Sequence, residues 1–232
     1  MSQDSPKTFI FIPSFNYKEF LDDGFLTDCT IIYHNEGNEH KIKAHIAIIS
    51  SNSEFFFNAF TSGMSEQTTK TVDITVNPSN KFPEVLTFLY TGEIRLEDNN
   101  IMCILSIANF YGIPKLSQLI EQYLETSMNS SLLINCLKEC YNFSLNNELN
   151  SLVKYVAKYI YDPNLPDQID VGLFSEALVL VKLTPEEKIR LMKQFLEGYK
   201  LSDEEKQMIQ KSIQKDDVTY KRMYQVSRNW FP

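Results

Sequence analysis

Three histidines, His34, His40 and His45, and four cysteines, Cys29, Cys103, Cys136 and Cys140, are the side chains of this 232-residue chain best suited to hold a metal or attack a substrate. His34 and His40 flank a polar turn that also carries Glu36 and Glu39. Two imidazoles and a carboxylate make a metal-ligand set, but the spacing is unspecific and solvated turn residues explain it better. Cys136 and Cys140 stand one helical turn apart, which would aim two thiolates at one ion. No second pair accompanies them, so packing as small apolar residues is the stronger reading. His45 would need a nucleophile or carboxylate beside it to act in catalysis, and no such constellation is legible. It follows a strand pattern and begins an apolar helix pattern, as a hydrogen-bonded core histidine does. Asp28 falls in what reads as a buried strand, where a carboxylate needs a partner, so a structural role is expected. The seven glycines are scattered singly, which leaves no loop to cradle phosphate. The sequence therefore predicts no enzyme, no metal site and no cofactor.

The elements that position these residues begin with residues 26–33, rich in β-branched and aromatic side chains and expected as a strand. A turn around Gly37 leads to a second strand over residues 41–45, alternating polar and apolar. Ile46, Ile48, Ile49, Phe55, Phe56 and Phe60 then fit helical spacing. Residues 71–76 alternate as a further strand, and a helix over residues 82–90 has Pro83 in its first turn. Gly92 ends that helix, supplying left-handed geometry. Ile101, Ile104, Leu105 and Ala108 mark a helix over residues 100–110, and another is expected over residues 115–126.

The order of these motifs resembles one family. Asp28-Cys29-Thr30-Ile31, Ala44-His45 with Ala47 and Ile49, Ser53 with Phe55-Phe56, Phe60, and Met64 with Glu66 follow the pattern of the BTB (POZ) domain. Phe88-Leu89-Tyr90-Thr91-Gly92-Glu93-Ile94 resembles that family's second signature, and Ala108-Asn109, Tyr111, Ile113 and Leu116 its closing helix pair. Cys29 stands where the family usually has Val, and Glu54 where it often has Pro. The resemblance implies an α+β fold, a small β-sheet packed by helices, with Asp28, His45, Phe56, Tyr90 and Gly92 as its structural core motif. Asn135-Cys136-Leu137 with Asn147 and Leu149 resembles the opening of the all-α BACK region that follows such domains, and this likeness weakens after about residue 175. The expected organisation is an N-terminal segment 1–15 available as a swapped strand, a BTB domain 16–126, BACK-like helix pairs 127–182 and C-terminal helices 183–232.

Function, on this resemblance, lies in contacts between polypeptides. It implies a homodimer built on the helix of residues 16–25, with Tyr17, Phe20, Leu21 and Phe25 at the interface. It also implies docking on cullin-3 through Met64-Ser65-Glu66, as part of a ubiquitin ligase complex that modifies an unknown protein substrate. A flexible Met suits a shallow apolar groove, and a Glu adds a directional charge-assisted hydrogen bond. A dimerisation scaffold without cullin binding is the alternative, because no repeat of propeller-blade length follows residue 127.

Composition sets the remaining bounds. With 43% hydrophobic and 22% charged residues, 16 Phe and 12 Tyr, the chain suits a helix-rich packed protein. A formal charge of −8 argues against a phosphate-neutralising nucleic-acid face. No apolar run reaches the roughly 18 residues of a membrane span, and no secretory signal pattern opens the chain. Reduced thiols, in the cytoplasm or the nucleus, are expected. Near the C-terminus, Thr184 with Glu187 and Ser202 with Glu205 each have capping-box spacing, so two capped helices are expected there. Trp230 has no assigned place.

Overall fold

The computed structural model describes residues 8–11, 17–35, 37–165, 168–182, 184, 187, 188, 190, 191 and 195. Its elements are β1 (Thr8–Phe11), α1 (Lys18–Asp23), β2 (Cys29–Asn35), β3 (Asn38–Ala44), α2 (Ile46–Asn52), α3 (Glu54–Thr61), α4 (Ser65–Thr69), β4 (Thr71–Ile74), α5 (Phe82–Thr91), β5 (Glu93–Leu96), α6 (Ile101–Phe110), α7 (Pro114–Ser127), α8 (Ser130–Phe143), α9 (Asn146–Ser151), α10 (Val153–Lys158) and α11 (Val171–Leu180). The chain divides into two compact units. One holds Met1–Ser127 with Glu139–Glu148, the other Met128–Lys138 with the chain from Leu149 onward.

The first unit is built on a three-stranded sheet in the order β3-β2-β4. β2 and β3 form an antiparallel hairpin in which Asn35 faces Asn38, and Gly37 takes φ 81° in the tight turn between them. β4 joins β2 in parallel, which requires the crossover that α2, α3 and α4 provide. Cys29 and Ile31 of β2 and Val72 and Ile74 of β4 turn inward and are buried. β3 ends the sheet, and Glu39, His40, Lys41 and Lys43 on it are exposed. A separate two-stranded sheet pairs β1 with β5, Thr8 opposite Leu96 and Phe11 opposite Glu93. Ile12 and the residues before Thr8 lie outside the described residues.

Several sequence expectations shift. The strand expected from residue 26 is β2 and starts at Cys29: Leu26 has φ 58°, a left-handed conformation that no strand accommodates. Asp28 is consequently exposed and outside the strand, against the expected buried position. β3 starts earlier than expected and stops at Ala44, leaving His45 as the residue before α2. β5 was not read as a strand. Within the BACK-like helix pairs expected over residues 127–182, the helix after Asn146 is interrupted at Leu152, giving α9 and α10.

Helix α5 ends as expected on Gly92, φ 70°, whose N–H donates to the Phe88 carbonyl at 2.8 Å. Helix α6 is apolar on every side, and Ile101 through Leu105 are all buried, so it forms the centre of the unit. Phe56 of α3, Phe82 of α5 and Tyr111 after α6 pack their rings together, Phe56 stacked on Tyr111 at 5.9 Å. Ser53 closes this arrangement: its hydroxyl accepts from the Phe56 N–H at 3.2 Å and donates to the Tyr111 carbonyl at 2.5 Å.

In the second unit α10 and α11 pack together. Tyr159 donates to the Met128 carbonyl at 2.6 Å, Ser130 donates to the Asp162 carboxylate, and Asp170 caps α11 by accepting from the Leu173 N–H at 2.8 Å. The capping box at Thr184 is present. The Thr184 N–H donates to the Glu187 carboxylate at 2.9 Å, and the Glu187 N–H donates to the Thr184 hydroxyl at 3.3 Å. Those bonds hold the Glu187 carboxyl below its ordinary range. Ser202, Glu205 and Trp230 lie outside the described residues.

Candidate protein-interaction faces

Helix α1 is six residues long and buries none of them. Such a short helix has little packing to hold it, so ties at its ends matter. Gly24 closes its C-terminus in the left-handed conformation, φ 61°. The Tyr17 N–H, at its start, donates to the Tyr90 carbonyl at 3.0 Å. Just beyond its end, the Phe25 carbonyl lies 2.7 Å from His45 Nε2. Tyr17 is 40% exposed, Phe20 42% and Phe25 61%, while Leu21 is half-buried. Three of the four expected interface residues thus present large apolar surface to solvent. Leu26, 73% exposed, joins them. Sequence reasoning missed Leu26 because it was assigned to a strand, where it would have had a buried side to face.

The core-motif residues fall around this helix. Asp28 accepts from the Ile46 N–H at 2.7 Å, so a residue before β2 satisfies the first amide of α2. Tyr90 is buried to 1% exposure, and burial pushes its hydroxyl pKa up to about 12. His45 is half-buried and its ring makes polar contacts through both nitrogens, Nδ1 to the Tyr90 hydroxyl at 2.9 Å and Nε2 to Phe25. His45 is thus a half-buried, hydrogen-bonded histidine at the edge of the packed residues.

The second face is the turn between α3 and β4. Met64 precedes α4 in extended conformation and is 55% exposed. Glu66 in the first turn is half-buried, and its carboxylate accepts from the Ser65 hydroxyl at 3.0 Å. Phe57 of α3 and Phe110 of α6 are 54% and 51% exposed. A shallow groove of about 320 Å³ lined by Ser53, Glu54, Phe57, Asn58, Pro114 and Lys115 runs beside α3. Its lining mixes apolar and polar groups without a converging set of acids, bases or donors.

The metal and nucleophile candidates separate. His40 stacks on Tyr33 at 5.0 Å, and Glu39 pairs with Lys41 at 2.9 Å, which holds the Glu39 carboxyl below its ordinary range. Glu36 lies outside the described residues. Cys136 and Cys140 are buried at 0% and 1% exposure, in keeping with packing. Burial pushes the thiols of Cys29 and Cys140 up to about 12 and that of Cys103 higher still, which disfavours the thiolate a nucleophile or ligand requires. Among the described residues no three His, Cys, Asp or Glu side chains come together to hold a metal ion. Nor is any helix among them long and apolar enough to cross a membrane.

Glu139 is the residue that sequence reasoning passed over. It lies on α8 with 4% exposure, and its carboxylate accepts from the Met102 N–H at 3.2 Å and the Cys103 N–H at 2.7 Å. These are first-turn amides of α6. Asn100, the residue before α6, has its side chain engaged elsewhere, accepting from the Glu97 N–H at 2.8 Å and donating to the Arg95 carbonyl at 3.2 Å. A carboxylate from another helix therefore supplies the cap, and the helix dipole favours its charge. Burial nevertheless holds the Glu139 carboxyl above its ordinary range, against the lowering effect of the Cys103 and Met102 bonds and of Lys81.

Comparison with known proteins places this arrangement. Residues 17–128 match the family model described as the BTB/POZ domain. Kelch repeat and BTB domain-containing protein 8 of Xenopus tropicalis is 29% identical over 107 residues, 46% of this chain and 17% of that protein. TD and POZ domain-containing protein 4 of Mus musculus is 30% identical over 108 residues, 46% of this chain and 28% of that protein. BTB/POZ domain-containing protein 9 of Drosophila melanogaster is 30% identical over 115 residues, 45% and 16%. The matched stretch is thus a minor part of these relatives' own length.

Proposed function

Because residues 17–128 form a BTB/POZ domain with helices after it, we propose that the protein is a non-enzymatic adaptor, a homodimer that docks on cullin-3 and brings a protein substrate to a ubiquitin ligase. The observation that carries this reading is the exposure of large apolar side chains on elements with no other evident use. Tyr17, Phe20 and Phe25 stand out from a helix that buries nothing, and Met64 stands out from the α3–β4 turn. A closed twofold contact sets one patch against its copy, so the α1 face suits self-association. Met64 and Glu66 form the cullin-docking element, a pliable apolar side chain beside a carboxylate already oriented by Ser65. The adaptor works in the cytoplasm or the nucleus.

The test is capture of a cullin-3 N-terminal domain by the wild-type chain and by Met64→Ala/Glu66→Ala. Loss of both side chains is expected to weaken capture by at least about tenfold, as central contact residues do. Equal capture by both proteins would remove Met64 and Glu66 from the site. Capture by neither would favour the dimerisation scaffold. Light scattering on the same preparations reads the dimer, and a monomer at low micromolar concentration would refute the self-association.

A further inference from the structure

His45, Tyr90 and Phe25 form a hydrogen-bond chain whose directions follow from counting donors. The His45 backbone N–H donates to the Tyr90 hydroxyl oxygen at 2.8 Å. The Phe25 carbonyl, 2.7 Å from Nε2, can only accept, so Nε2 carries a proton. In the neutral ring Nδ1 is then bare, and at 2.9 Å it accepts the Tyr90 O–H. Every donor and acceptor in the chain is matched. In the opposite tautomer the Nε2 lone pair would face the Phe25 carbonyl oxygen, and the Tyr90 proton would lose its acceptor. With its pKa at about 12 the phenol keeps that proton at ordinary pH.

The same residues hold α1 at both ends. The Tyr90 carbonyl takes the Tyr17 N–H, and the imidazole that the Tyr90 hydroxyl orients takes the Phe25 carbonyl. The ring edges continue outward, His45 to Phe20 at 6.2 Å and Phe20 to Tyr17 at 6.2 Å. The exposed row Tyr17, Phe20, Phe25 and Leu26 is therefore set in place by a buried phenol and one half-buried imidazole.

We propose that His45, locked by Tyr90 as the neutral Nε2–H tautomer, is the positioning residue of the α1 face, and that the partner this face takes is a second copy of the chain. The second clause rests on the self-association proposed above. The first does not.

The experiment combines three readouts on the intact chain. Nitrogen-15 NMR of the His45 ring is expected to show a protonated Nε2 and a bare Nδ1 in wild type, and a loss of that preference in Tyr90→Phe. Amide hydrogen exchange across α1 is expected to speed up by at least about tenfold in His45→Ala, where the tie to Phe25 is gone, and to stay near wild type in His45→Gln, whose amide still donates to that carbonyl. Sedimentation equilibrium is expected to show dimerisation weakened by about tenfold in His45→Ala and restored to within about threefold in His45→Gln. A merely space-filling histidine would be replaced as well by Leu as by Gln, whereas His45→Leu, which fills the space but cannot donate, is expected to exchange and dimerise like His45→Ala. An Nδ1–H tautomer, or unchanged α1 exchange in His45→Ala, would overturn the clamp. A wild-type monomer whose tautomer and exchange are as expected would overturn the self-association alone.

Discussion

Replacing Glu139 by Ala removes the cap of the most buried helix in the first unit. The Met102 and Cys103 amides, which now donate to its carboxylate at 3.2 and 2.7 Å, belong to residues with 0% exposure, so water cannot reach them without local opening. A buried donor left unmatched costs about 1–3 kcal/mol, so the pair costs about 2–6 kcal/mol. Relieving the burial of a carboxylate returns part of this, and a net loss of about 2–4 kcal/mol is expected. Glu121→Ala, at an exposed position of α7, is the control, expected to change stability by less than about 0.5 kcal/mol. Urea unfolding of the intact chain reads the global cost, and amide exchange at Met102 and Cys103 reads the local one. A loss below about 0.5 kcal/mol, with both amides exchanging as slowly as in wild type, would refute the capping role.

Two further outcomes follow from the same coordinates. Burial holds the Glu139 carboxyl above its usual 4.5, so the folded chain binds that proton more tightly than the unfolded chain. Its contribution is then fully present below about pH 4.5 and is lost as pH rises through the folded value. Glu139→Gln should lack this loss, and its stability relative to wild type should rise between about pH 4 and pH 8. A constant difference across that range would contradict the assignment. Gly112 sits at φ 56°, and a Cβ there would meet Glu54 Cβ at 3.1 Å beside the bond its carbonyl accepts from the Glu54 N–H. Gly112→Ala is expected to lower stability by about 1–2 kcal/mol in urea titration; no change would mean that the loop relaxes freely.

Much of the fold was legible because its signals are local. Strand alternation, the Pro83 start and Gly92 stop of α5, and the Thr184 capping box each declare themselves within a few residues. What was misread depended on distant partners. Residues 26–28 carry strand-like side chains, but the Phe25 carbonyl is held by His45 and Asp28 caps α2 from outside, so the backbone turns there instead of extending. Glu139 reads as a solvated residue on an amphipathic helix. Only the engagement of the Asn100 side chain with Glu97 and Arg95 leaves α6 in need of a foreign carboxylate. β5 is four residues long and becomes a strand through pairing with β1. The break at Leu152 has no Gly or Pro to announce it. Met64 and Glu66 were found only as a motif, since three residues carry no periodicity.

Strand β3 is the border of its sheet, and its side chains protect it. An outermost strand offers a row of backbone groups to any extended segment that drifts against it, and charged side chains are the common deterrent. Glu39, Lys41 and Lys43 line this border, all exposed. Bringing two such borders together would strip water from these charges before any new ladder could form. The charges thus guard this edge against uncontrolled fibre-like stacking.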